Sequence, residues 1–110
     1  MEKFVLIYYA PAEAMQSMAT ATPEEKEAGM GEWMKWKDKV GDAILDFGAP
    51  FIPGEACGKD GNFTPEMNDI TGYSLIQAES IDKVKEMVKD HPHLHWWDGC
   101  RIEIKPCISM

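Results

Sequence analysis

The run FVLIYY from Phe4 to Tyr9 offers no polar side to water. A continuous apolar stretch rich in β-branched and aromatic residues, closed by Pro11, suits a strand covered on both faces. The remaining chain must then supply two covers. At 110 residues it should form one domain spanning 1–110, long enough to bury a core and short enough for a dimer interface to add to its stability.

The other elements follow from local signals. The stretch AEAMQSMATA after Pro11 reads as a mobile connection. Thr22, Pro23 and Glu25 form a helix start of the capping-box type, and Trp33, Lys37, Val40, Ile44 and Phe47 continue as an inward stripe that Met30 and Trp36 broaden. Gly48 is the expected stop. Ala49 to Cys57 is expected to make a second strand, at an edge because of Pro50 and Pro53. Gly58 to Thr71, with its KDGN turn, reads as a lid or binding loop. GYSLIQAE makes a third strand with Tyr73, Leu75 and Gln77 on one face and Ser74, Ile76 and Ala78 on the other. Ser80 caps a second helix that stops near Asp90, because Pro92 drives His91 out of helical geometry. CRIEIKPC alternates as a half-solvated strand.

The order β-α-β-β-α-β folds most simply as a ferredoxin-like α+β domain. Its four-stranded antiparallel sheet has strands one and three in the centre and both helices on one face. The opposite face then lacks a cover, and a second copy of the chain supplies one economically. A homodimer is therefore expected, with two sheets facing each other in an α+β barrel.

Charge narrows the partners. A net charge of −8 opposes binding to phosphate backbones, so nucleic acid is not an expected partner. The opening apolar run is too short for a membrane helix, and no membrane partner is expected. Cys57, Cys100 and Cys107 are odd in number and make no C-x-x-C pair, which fits reduced thiols in the cytoplasm.

Several segments together resemble one family. FVLIYYAP at the start, TPEE at the first helix, DGNF at Asp60 to Phe63, GYSLIQAES, the HP after helix two and IEIKP at the end are similar to YCII-related domains of the dimeric α+β barrel superfamily, in the branch named for an Asp-Gly-Pro-Phe motif. The resemblance implies a dimeric barrel with a pocket in each subunit between sheet, helices and the loop after helix two. Enzymes of the YCII type place a histidine early in helix one opposite the Asp of an Asp-Pro after helix two, a pair suited to proton transfer in lyase chemistry. Here residues 22–35 contain no histidine, His91 stands where that Asp would be, and Asn62 replaces the motif's Pro.

The segment KDHPHLHWWDGC, Lys89 to Cys100, carries the remaining chemistry. Imidazole titrates near neutrality, so His91 or His93 is a candidate proton carrier with Asp98 as orienter, in cofactor-free lyase or isomerase chemistry. Tyr8, Tyr73, His95, Trp96 and Trp97 are the candidate ligand contacts, and a small molecule is the expected partner. Two bland readings stand beside this one. The segment can simply end a helix and pack its tryptophans, and the chain can be a non-catalytic regulatory or interaction module. Metal binding through His91, His93 and His95 is a further alternative, which requires an extended backbone to align the three rings.

Overall fold

A computed structural model describes residues 1–109. Strand β1 (Glu2–Tyr9) leads into helix α1 (Ala12–Ala19) and helix α2 (Pro23–Val40). Then come β2 (Ile44–Asp46), a hairpin of β3 (Glu55–Cys57) and β4 (Phe63–Pro65), β5 (Ile70–Ala78), α3 (Ile81–Val88) and β6 (Arg101–Cys107). The main sheet has the order β2-β5-β1-β6 and is antiparallel throughout. This is the ferredoxin-like α+β arrangement, with the first and third strands of the expected order in the centre.

Pairing of Val5 with Leu75 and Lys105, and of Tyr8 with Gly72 and Ile102, fixes the register. One face carries Phe4, Leu6, Tyr8, Ile76 and Ala78, which form the core with Trp36, Val84 and Val88. Burying each such large side chain stabilises the fold by about 1.5–3 kcal/mol. The opposite face carries Val5, Ile7, Tyr9, Tyr73 and Leu75, all only half-buried. Tyr9 donates to Glu103 Oε1 at 2.7 Å beneath the Arg101 guanidinium, and Phe51 stacks on Tyr73 with centroids 5.6 Å apart.

Three expectations are corrected. The segment after Pro11 is a helix, with Ala14 fully buried, so the described residues form three α-helices and not two. Its alanines and methionines favour helix and left no turn-forming residue to break it. Helix α2 ends at Val40, well before Gly48, because Gly41 adopts φ 67°. A left-handed C-terminal residue closes a helix as it stands. The chain then forms the edge strand at Ile44–Asp46, with Ile44 opposite Ile76, and not over Ala49 to Cys57. Only a single bridge, Pro50 to Gly72, extends it. Glu55–Cys57 instead pairs with Phe63–Pro65 inside the expected loop, as an exposed arm whose turn is held by Asp60 accepting from the Asn62 amide at 2.9 Å.

The capping box at Thr22 and Glu25 and the Ser80 cap form as expected. Gly48 does a different job from the one its position suggested. At φ 83° it turns the chain tightly over β5, where a Cβ would collide with the Tyr73 carbonyl oxygen. Gly48→Ala should therefore cost at least about 2–3 kcal/mol in urea unfolding, since both strain and overlap oppose it. Gly29→Ala, in the open helix with nothing nearby, should instead add up to about 1 kcal/mol.

Candidate functional site

The buried end of the sheet, α2 and the chain after α3 meet at Tyr8. Its partner in register is Gly72, where a Cβ would lie only 3.0 Å from the Ala49 carbonyl oxygen, so the missing side chain lets the chain after β2 lie close against β5. Trp33 packs edge-on against Tyr8 with centroids 5.0 Å apart. Trp36 lies 4.2 Å from the His91 ring and anchors α2 to α3 by donating from Nε1 to the Met87 carbonyl at 2.8 Å. Outside this cluster, Lys39 and Asp90 form an exposed ion pair between the ends of α2 and α3.

Hydrogen bonds tie the cluster together. His91 Nε2 lies 3.2 Å from the Tyr8 hydroxyl, which lies 2.7 Å from Ser74 Oγ, and Ser74 donates to the Phe47 carbonyl at 2.7 Å. The His93 amide donates to His91 Nδ1 at 3.0 Å, while His93 Nε2 lies 2.8 Å from the Tyr9 carbonyl. His91 is 0 % exposed and His93 3 %. Burial pushes the His91 imidazole down to about 3, with His93 adding to the shift and Asp90 opposing it. Burial also lowers His93, against the Tyr9 carbonyl that favours its charged form. The Tyr8 hydroxyl is raised by burial, with its bond to Ser74 opposing. Both imidazoles are thus neutral at physiological pH.

The expected site is divided by one turn. Pro92–His95 forms a 3-10 turn that sends His91 and His93 inward. The following residues reach the surface: His95, Trp96, Trp97 and Asp98 are exposed and, with Leu94, which also packs against the core, line an open groove of about 580 Å³. Trp96 stays near the buried pair, its ring 6.0 Å from that of His93. Asp98 makes no hydrogen bond to either imidazole. Tyr8 joins the buried cluster, but Tyr73 lies on the opposite face of the sheet and donates to Asp46 Oδ2 at 2.9 Å. The two tyrosines therefore do not share a pocket.

The metal alternative through His91, His93 and His95 is also corrected. It needed extended backbone, and the 3-10 turn separates the rings, with both His91 nitrogens already bonded. Among the described residues no three His, Cys, Asp or Glu side chains converge as a metal site.

Ser74 and the two α2 tryptophans were not among the candidate site residues. Ser74 is the small polar residue on a face otherwise apolar at Ile76 and Ala78, and a buried hydroxyl in such a place demands a partner. Trp33 and Trp36 were read as core, which they are, and they also wall in His91.

No family model matches the sequence, and no curated protein matches it. Among solved structures, the chain is similar to a 5-chloro-2-hydroxyhydroquinone dehydrochlorinase, TftG, from Burkholderia phenoliruptrix AC1100, in complex with 2,5-dihydroxybenzoquinone. The identity is 15%, the TM-score 0.51, and the match covers 94% of this chain and 91% of that one. The likeness is one of fold.

Acid should weaken this protein in a recognisable way. An unfolded histidine takes up its proton near 6.5, whereas folded His91 does so only near 3, so between those values the unfolded chain binds more protons. Stability then falls as pH drops, by up to about 1.4 kcal/mol per pH unit from His91 alone, with His93 acting in the same direction. Urea midpoints from pH 7 to pH 5, above the carboxylate range, should decline in the native protein and decline less in His91→Asn.

Proposed function

We propose that the chain is a YCII-related protein that works as a homodimer in the cytoplasm. It binds a small molecule in the groove of Leu94 to Asp98 and assists a cofactor-free lyase or isomerase step with a histidine. The observation that carries this reading is the neutral imidazole of His93, with its ring 6.0 Å from that of Trp96 on a tryptophan-lined groove. A neutral imidazole in a low-dielectric setting is a competent proton acceptor, and the half-exposed indoles of Trp96 and Trp97 offer flat apolar surface to a ligand. The named activity of the dehydrochlorinase, a lyase-type elimination on a small aromatic molecule, supports the same direction. Tyr8 belongs to the site as the hydroxyl joined to His91, and Asp98 as a charged group on the groove wall.

The dimer is supported by the half-buried face of Val5, Ile7, Tyr73 and Leu75 and by the apolar residues continuous with it, Leu45 and Phe51. Contiguous apolar surface of this kind marks an interface. Cytoplasmic residence is supported by the free Cys57, Cys100 and Cys107. No described helix is long and apolar enough to cross a membrane.

A second reading, a non-catalytic binding or regulatory module, is favoured by the complete burial of His91. Substitution separates the two. Trp97→Ala should weaken ligand binding at least about tenfold under either reading, since a stacked indole contributes on the order of 1–3 kcal/mol. Abolished turnover with retained binding in His93→Gln supports catalysis, and an absence of turnover in the native protein supports the module. For the assembly, native protein should sediment at twice the chain mass of 12.4 kDa and Ile7→Glu as a folded monomer. A native monomer at high dilution would remove the dimer.

A further inference from the structure

The hydrogen bonds around Tyr8 allow one arrangement of protons, and that arrangement distinguishes the two buried histidines. A backbone amide is always a donor, so His91 Nδ1, 3.0 Å from the His93 amide, carries no proton. Neutral His91 then holds its proton on Nε2 and gives it to the Tyr8 oxygen. Ser74 has one proton and spends it on the Phe47 carbonyl, so the Tyr8 proton must go to Ser74 Oγ. The chain runs one way, from His91 through Tyr8 and Ser74 to a carbonyl. Every lone pair and proton needed to complete it is used.

His93 is built differently. The Tyr9 carbonyl can only accept, so His93 Nε2, 2.8 Å away, holds the proton. Nδ1 is left as a bare lone pair with no hydrogen-bond partner among the described residues. Among the described residues no fully buried side-chain nitrogen or oxygen lacks a partner, so this atom keeps an outlet to the surface even though His93 is 3 % exposed. Trp96, on the groove wall, is its aromatic neighbour at 6.0 Å.

Resting on the small-molecule reading of the groove, we infer that His93 is the catalytic residue, accepting a proton through Nδ1 from an uncharged hydroxyl of the ligand, while His91 is a fixed donor that never carries the proton. In the step the ligand O–H bond breaks, its electron pair stays on oxygen, and an Nδ1–H bond forms. The imidazolium is then steadied by its Nε2–H bond to the Tyr9 carbonyl, and it returns the proton at the end of the reaction. A bare lone pair repels an anion, and so does a chain of net charge −8. The ligand that fits is therefore a neutral donor on a flat body able to lie on Trp96, and a carboxylate does not fit.

Histidine-15N NMR of the native protein tests this with three probes of one shape: p-cresol, 4-methylanisole, which lacks the donor, and p-toluate, which carries a charge. The free protein should show both His91 and His93 as neutral Nε2–H tautomers at pH 7. p-Cresol should shift His93 Nδ1 saturably, with the other two probes at least tenfold weaker, and His93→Gln should lose the response. An Nδ1–H tautomer of His93 in the free protein overturns the assignment by itself. A shift at His91 or His95 in place of His93 overturns it and leaves the small-molecule site standing. No shift at any histidine overturns both.

Discussion

A fully buried imidazole must be neutral, and both its nitrogens must be occupied. His91 meets those demands with the His93 amide on one side and the Tyr8 hydroxyl on the other, and much of the domain is positioned by that requirement. Tyr8 brings in β1, Ser74 brings in β5, and the Phe47 carbonyl brings in the chain leaving β2. Trp33 and Trp36 bring α2 down onto the ring. An unpaired buried polar group costs roughly 1–3 kcal/mol, so each member of the chain is held in place by the others, and a network of this kind is worth more when complete than the sum of its parts.

The two faces of β1 lead different lives because of this network. The inner face ends in Tyr8 and the histidine cluster, while the outer face ends in Tyr9, locked to Glu103 beneath Arg101. Side-chain alternation puts adjacent tyrosines on opposite sides of the sheet. The inner tyrosine is bonded into the histidine cluster and the outer one does not reach it. The outer one sits instead on the face assigned to the second copy. The exposed arm carrying Phe63 is a separate two-stranded sheet.

The central strands were readable because their residues are unambiguous: FVLIYY and GYSLIQAE have no competing periodicity, and Thr22 and Ser80 announce their helices. The edge strand was misplaced because Ile44 and Phe47 continue the spacing of the α2 stripe, and both do pack on the core. A left-handed glycine at position 41 ends a helix without changing the hydrophobic pattern, so periodicity alone passes over it. The segment His91 to Asp98 stood out by composition. Its division into a buried pair and an exposed groove did not, because a 3-10 turn after Pro92 and an extended strand are equally compatible with the same letters. Ser74 could be placed on a buried face from sequence, but its partner, 66 positions earlier, could not.

The central claim is that His91 is a neutral hydrogen-bond donor locked inside the domain. Following its ring carbon Cε1 by NMR as the native protein is titrated tests that claim most directly. The account predicts a resonance that stays flat from pH 8 to pH 5. A His91 midpoint near the ordinary value of 6.5 would contradict it.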